Sequence, residues 1–274
     1  MEKATEVLPV RGPLAWVSRL GAVTRELVEP VGRGARFVAA TLRAMGDLRG
    51  WRGQFSQNAL TLGVGSLPIG IFIALFTGIV LALLASYSVG EMVPPYFVGT
   101  LVQKTVVLEL APVLTGLALA GRVGANIAAE LGTMRVTEQI DALETLTFDP
   151  MSHLVVPRVL ASALMFPVVV GAAMLVGLVS GWIASLLLLD ITTPQFVKGV
   201  RLFFQTFDVR YGLVKAASFG AAVALIGCRA GLETRGGAQG VGRSATRAVV
   251  ISAVMILVLD AFWALVWLTG RTLR

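Results

Sequence analysis

The stretch that decides the fold is Glu109–Thr145, ELAPVLTGLALAGRVGANIAAELGTMRVTEQIDALET. Its first half is apolar enough to sit in a membrane, yet it carries Glu109, Arg122 and Glu130. Its second half turns polar without a clear break and reads as a short amphipathic helix. A membrane helix that runs straight into a polar one can pass motion between water and lipid. The rest of the chain reads as what such a part needs around it.

Composition removes the soluble alternative. Hydrophobic residues are 56% of the chain and charged residues 14%, with mean hydropathy +0.81; a soluble domain carries roughly 25% charge. The 30 glycines suit a bundle of membrane helices, where glycine is commoner than in soluble helices. The net charge of +7 does not point to nucleic acid, because the basic residues fall in short runs between apolar segments rather than in one aromatic-laced patch. Cys228 lies alone in an apolar run and reads as a small hydrophobe. The single His153 cannot build a metal site by itself.

Residues 1–56 read as a cytoplasmic, interfacial N-terminal segment and 57–274 as the transmembrane domain. No apolar core of signal-peptide type follows the first charges. Nine Lys/Arg stand against five acids over 1–56, and Trp16, Leu20, Val23, Leu27, Phe37 and Leu42 recur at helical spacing, as in a helix lying in the interface.

Five spans are expected. The first is Ser66–Val89, 24 residues without a charge; at 1.5 Å per residue it covers about 36 Å, enough for about 30 Å of hydrocarbon with tilt. The second runs from Tyr96 to about Leu131. The third is one long, tilted or kinked helix over Leu154–Leu189, containing Pro157, Arg158 and Pro167. Asp190–Arg210 reads as a polar connection with a short surface helix. The fourth is Tyr211–Cys228, with Lys215 near its start, and the fifth is Ala248–Leu268, with Asp260 inside and two tryptophans near its end. The basic N-terminal segment and the basic loop Arg229–Arg247 fall on one side, which places the N-terminus in the cytoplasm and the C-terminus outside.

Within the second span Gly116, Ala120, Gly124, Ala128 and Gly132 recur every fourth residue. Such a stripe lets another helix approach closely, either within the bundle or at a dimer interface. Arg122, Asn126 and Glu130 follow at i, i+4 and i+8; Asn126 can bridge the two charges, or each can pair with another helix, and near a helix end they read as a structural anchor. Glu109 lies about 18 Å before Gly121, near mid-bilayer. A carboxylate there faces a water-filled cavity or sits in a buried pair. Lys104 points about 140° away from it, and Pro112 can kink the helix beside it.

Gly132–Leu146 carries Val136, Ile140, Leu143 and Leu146 on one face and Thr137, Glu138, Asp141, Glu144 and Thr145 on the others. It suits docking onto a soluble partner, since an anionic leaflet repels its acids. Gly237–Ser244, GAQGVGRS, imitates a phosphate-binding loop, but a membrane helix replaces the required strand and Arg243 stands where lysine is needed; the glycines read as a tight turn. ATP use therefore calls for a second polypeptide.

ELAPVLTGLALAGRVGANIAAELGTMRVTEQIDAL, with Asp149-Pro150, Pro157-Arg158-Val-Leu-Ala and Gly240–Val250, resembles the signature of the MlaE/YrbE permeases, the membrane subunits of MCE-type phospholipid ABC transporters. The likeness covers roughly residues 55–270. It implies an all-α homodimer in the bacterial inner membrane, with an interfacial N-terminal helix and five spans per protomer. A cytoplasmic ABC ATPase dimer holding ATP and Mg, a periplasmic MCE-domain ring and a small STAS-type accessory protein would be the partners. This chain itself would bind no cofactor or metal and catalyse nothing. The resemblance further implies an ATPase-coupling helix drawing on Gly132, Thr133, Met134, Arg135, Thr137, Glu138, Gln139, Asp141 and Leu143. Glu109, Leu81, Leu84 and Leu110 would border the lipid cavity. Many members carry Arg where this chain has Leu108, a neighbour that Glu109 here lacks. An ATP-independent transporter or channel using Glu109 as a proton or ion site, and a membrane scaffold, are the competing functional classes.

Overall fold

The computed structural model describes residues 29, 32–89 and 93–272. Trp16, Leu20, Val23 and Leu27 lie outside the described residues. The chain divides into two units, residues 1–46 and 47–274. In the first, residues 32–44 form a helix with Leu42 exposed and the Thr41 hydroxyl donating to the Phe37 carbonyl at 2.9 Å.

Among its described residues the second unit is built of helices joined by turns. Five helices are long and apolar enough to cross a membrane: Trp51–Ser88, Tyr96–Val136, Met151–Leu188, Thr206–Leu232 and Gly237–Trp267. Four of the five begin earlier than the apolar runs alone imply. A helix extends past the hydrocarbon whenever its polar turns can still satisfy their backbone groups internally. The glycines of 237–242 are not a loop: the turn sits at Gly236 and Gly237, with φ of 91° and 65°, and the last helix starts at Gly237.

Prolines explain most of the irregular turns. Pro68, Pro112 and Pro157 each lack the amide that residue i−4 would use. Ahead of each stands a non-α turn: a 3-10 turn at Val64–Ser66, and π turns at Val106–Leu110 and Met151–Val155. A further π turn at Ala120–Gly124 contains two glycines and no proline. Pro167 lies inside the unbroken helix Val156–Leu188.

The first span packs on the third, and the fourth packs on the second, third and fifth. A cluster of Ala74, Ala82, Val102, Val106, Ala173 and Met174 fills the space between the first three spans. Small residues set the spacing: a Cβ on Gly78 would collide with the Gly177 carbonyl oxygen. The fourth span is the most enclosed, 56% of its apolar window being buried, and the fifth the least, at 11%. The surface helix expected in the third connection is Thr193–Leu202, opened by a Thr192–Gln195 capping box.

Candidate functional site

The small-residue stripe lies inside the bundle. Gly116, Ala120, Gly124, Ala128 and Gly132 are all buried. A Cβ on Gly116 would meet Phe219 and Ile256, and one on Gly124 would meet Val223 and Ser252, so the stripe faces the fourth and fifth spans. Close backbone approach is what holds helices together where lipid supplies no hydrophobic drive. The same approach brings the charged residues of three spans within reach of one another.

Glu109 is the meeting point. The π turn Val106–Leu110 carries it, and Pro112 leaves the Leu108 carbonyl without its helical donor. The ammonium of Lys215, on the fourth span, donates to that carbonyl at 3.3 Å and to Glu109 Oε2 at 2.7 Å. It also pairs with Asp260 on the fifth span. Lys215 is 0% exposed, Glu109 45% and Asp260 24%. A lysine sealed in a membrane bundle calls for polar partners, and here two carboxylates supply them. The Tyr211 ring completes its surroundings at 5.6 Å.

Aromatic residues buttress this triad. Tyr211 packs on Trp267 at 4.7 Å and meets Trp263 edge-on at 6.1 Å, and Phe207 stacks on Trp267 at 4.1 Å. The Trp263 indole donates to the Ser218 hydroxyl at 3.0 Å. Residues 207, 211, 215 and 218 share one face of the fourth span, and 260, 263 and 267 one face of the fifth, by helical spacing. The sequence displayed every member of the triad, each an isolated charge in an apolar run, but not their convergence. That signal, three lone ionisable residues on three spans with opposite charges available, could have paired them in advance.

Lys104 goes elsewhere, to Asp208 at 2.5 Å, with Asp208 1% exposed. Glu130 pairs with Arg158 of the third span at 2.6 Å rather than through Asn126; Arg122 and Asn126 lie exposed on the same outward face of the second span. Leu110 lines a small internal cavity with Thr77, Thr115 and Ala173. Leu81 is partly buried against the core, while Leu84 is 56% exposed. His153 bonds Gln54 across 2.8 Å, a partner its local sequence did not reveal.

At the opposite end of the second span, the helix does not continue unbroken through residue 146. Gly132, Thr133, Met134 and Arg135 close the helix Ala125–Val136. Thr137 ends it, Glu138 adopts a left-handed φ of 60°, and a separate helix spans Gln139–Thr145. A non-glycine residue in that region interrupts a helix at a cost of about 1 kcal/mol. Across the break Arg135 pairs with Asp141 at 2.5 Å, both half-exposed. Ile140 is buried, Leu143 half-buried, and Thr137, Glu138, Gln139 and Asp141 exposed. Val136, Leu146 and Phe148 add exposed apolar surface at this end.

The family model for Permease MlaE matches residues 55–266. A probable ABC transporter permease protein of Synechocystis sp. is 42% identical over 213 residues, covering 77% of this chain and 81% of that protein. A probable ABC transporter permease protein of Rickettsia prowazekii is 40% identical over 202 residues, 74% and 78% of the two chains. The Arabidopsis thaliana protein TRIGALACTOSYLDIACYLGLYCEROL 1, chloroplastic, is 34% identical over 210 residues, 77% of this chain and 60% of its own.

Proposed function

The chain belongs to the MlaE permease family, and on that premise we propose that it is the membrane-spanning half of an ATP-driven phospholipid transporter in a bacterial inner membrane. A multi-pass permease is the role that its relatives and its five spans support. The finer reading rests on the Glu109–Lys215–Asp260 triad. A mid-span carboxylate that is 45% exposed cannot face hydrocarbon, because a charged group there is stable only beside water, a partner or a polar ligand. A headgroup passing between two copies of this chain supplies that environment, and the exposed face of the fifth span supplies room for acyl chains. The name of the Arabidopsis relative is that of a lipid, which favours this cargo.

Two protomers, N-terminus inside and C-terminus outside, would enclose the pathway. A cytoplasmic ABC ATPase dimer would dock on the Gln139–Thr145 helix, an MCE-domain ring would sit on the far side, and a STAS-type protein could accompany the ATPase. ATP and Mg belong to the ATPase, and this chain performs no chemistry. Nucleotide-driven movement of the docking helix would shift the second span and with it Glu109, narrowing the cavity.

Reconstitution of the chain with its ATPase tests this. Lipid transfer should require ATP, and Glu138→Lys with Asp141→Lys should sever ATPase binding while the permease still folds. Full ATPase binding and coupling in that double variant would refute the docking assignment. Transfer that runs without ATP but stops with Glu109→Gln would instead establish the ion-site alternative.

A further inference from the structure

The triad carries two carboxylates and one ammonium, and their arrangement is lopsided. Lys215 is 0% exposed, while Glu109 and Asp260 are 45% and 24% exposed. The cation is therefore consumed internally, by two carboxylates and the Leu108 carbonyl. What the site presents outward is carboxylate, with one formal negative charge in excess. Among the described residues of the second span, Lys104 is taken by Asp208, and Arg122 lies about 20 Å further along the same helix.

Beside this excess charge stands an aromatic wall, Tyr211, Trp263, Trp267 and Phe207. Aromatic faces attract ammonium groups through the ring quadrupole, and they do so more strongly where water is excluded. Carboxylate oxygens and π faces together form the complement of an ammonium group, primary or quaternary. They are a poor complement to a phosphate or glycerol headgroup that has no positive end, because like charge in a low dielectric is repelled over several ångströms.

We propose that this site selects phospholipids whose headgroup bears an ammonium over anionic phospholipids that lack one. The selection deepens, and rests on, the reading of the triad as part of a lipid pathway. The headgroup amine pairs with the outward oxygens of Glu109, its approach lined by Trp263 and Trp267, and the lipid phosphate stays on the side away from Asp260.

The test uses the full chain extracted from vesicles of equal phosphatidylethanolamine and phosphatidylglycerol, washed in detergent, with retained lipid quantified per protomer by mass spectrometry. Phosphatidylethanolamine should be enriched about threefold over the bulk ratio. Glu109→Gln and Asp260→Asn, each removing the excess charge by a different route, should return the ratio toward bulk. Asp190→Asn, an equal charge change at an exposed turn outside the site, should keep the enrichment. Retained lipid at the bulk ratio, enrichment of phosphatidylglycerol, or a preference that survives both triad variants would overturn the selection while leaving the lipid site standing. A wild-type chain that retains no lipid would remove the lipid-pathway reading and the selection together.

Discussion

Arg158 on the third span and Glu130 on the second form an ion pair at 2.6 Å whose partners live in different worlds, Arg158 at 5% exposure and Glu130 at 49%. The arginine also donates to the Leu154 carbonyl at 2.7 Å, in the π turn that Pro157 creates. Losing either partner is therefore unequal. Glu130→Ala strands a buried guanidinium and should destabilise by about 2–3 kcal/mol. Arg158→Met leaves a carboxylate that water can still reach and should be milder. Thermal unfolding of the two variants in the same detergent checks the order; a milder Glu130→Ala would contradict it.

Lys215 should tolerate no neutral replacement. Lys215→Met would leave Glu109 and Asp260 without the cation that both touch, and removing one partner of a buried ion cluster leaves the others uncompensated. The expected outcome is a chain that is strongly destabilised, by about 3 kcal/mol or more, together with loss of lipid transfer. A double variant Lys215→Met/Glu109→Gln removes one of the stranded charges and should recover part of the stability. Denaturation of single and double variants measures the coupling.

Glycine contacts give a sharp contrast. Gly78→Ala would drive a methyl against the Gly177 backbone carbonyl as well as the Ser180 hydroxyl, and the backbone cannot swing aside as a side chain can. Overpacking of this kind costs about 1–3 kcal/mol. Gly121→Ala meets nothing within 4 Å and should be neutral or slightly stabilising, since alanine is the better helix former by about 1 kcal/mol. Melting temperatures of the two variants decide it.

Glu138 holds a left-handed backbone that glycine adopts freely. Glu138→Gly should relieve about 1 kcal/mol of local strain and reduce any contact its carboxylate makes with a partner. Glu138→Ala removes the charge and keeps the strain. Comparing ATPase binding for the two separates charge from backbone: equal loss in both assigns the contact to the carboxylate.

Apolar run lengths located all five spans, because hydropathy is a local property and hydrocarbon admits few alternatives. Their starts were placed late at Trp51, Met151, Thr206 and Gly237, since polar turns that remain helical leave no compositional mark. The stripe from Gly116 to Gly132 was legible as a packing face, but whether it met this protomer or another was not; Phe219, Val223 and Ser252 settle that it meets its own fourth and fifth spans. The triad was least legible. Pairing Glu109 with Lys215 and Asp260 requires residues more than a hundred positions apart, and nothing local to Glu109 specifies them. The break at Glu138 escaped because a single left-handed residue of ordinary helix-forming type carries no sequence signature.

That break changes what kind of joint links the docking helix to the membrane. Between Val136 and Gln139 the backbone is a knee, and the described side-chain bond that crosses it is Arg135 to Asp141, both half in solvent. Exposed pairs weaken as the screening length shrinks from about 10 Å at 0.1 M salt to about 3 Å at 1 M. Under the proposed docking, a push on the Gln139–Thr145 helix would reach the second span through a hinge that loses its one described side-chain brace as salt rises. Such a joint would act as a clutch that salt can slip.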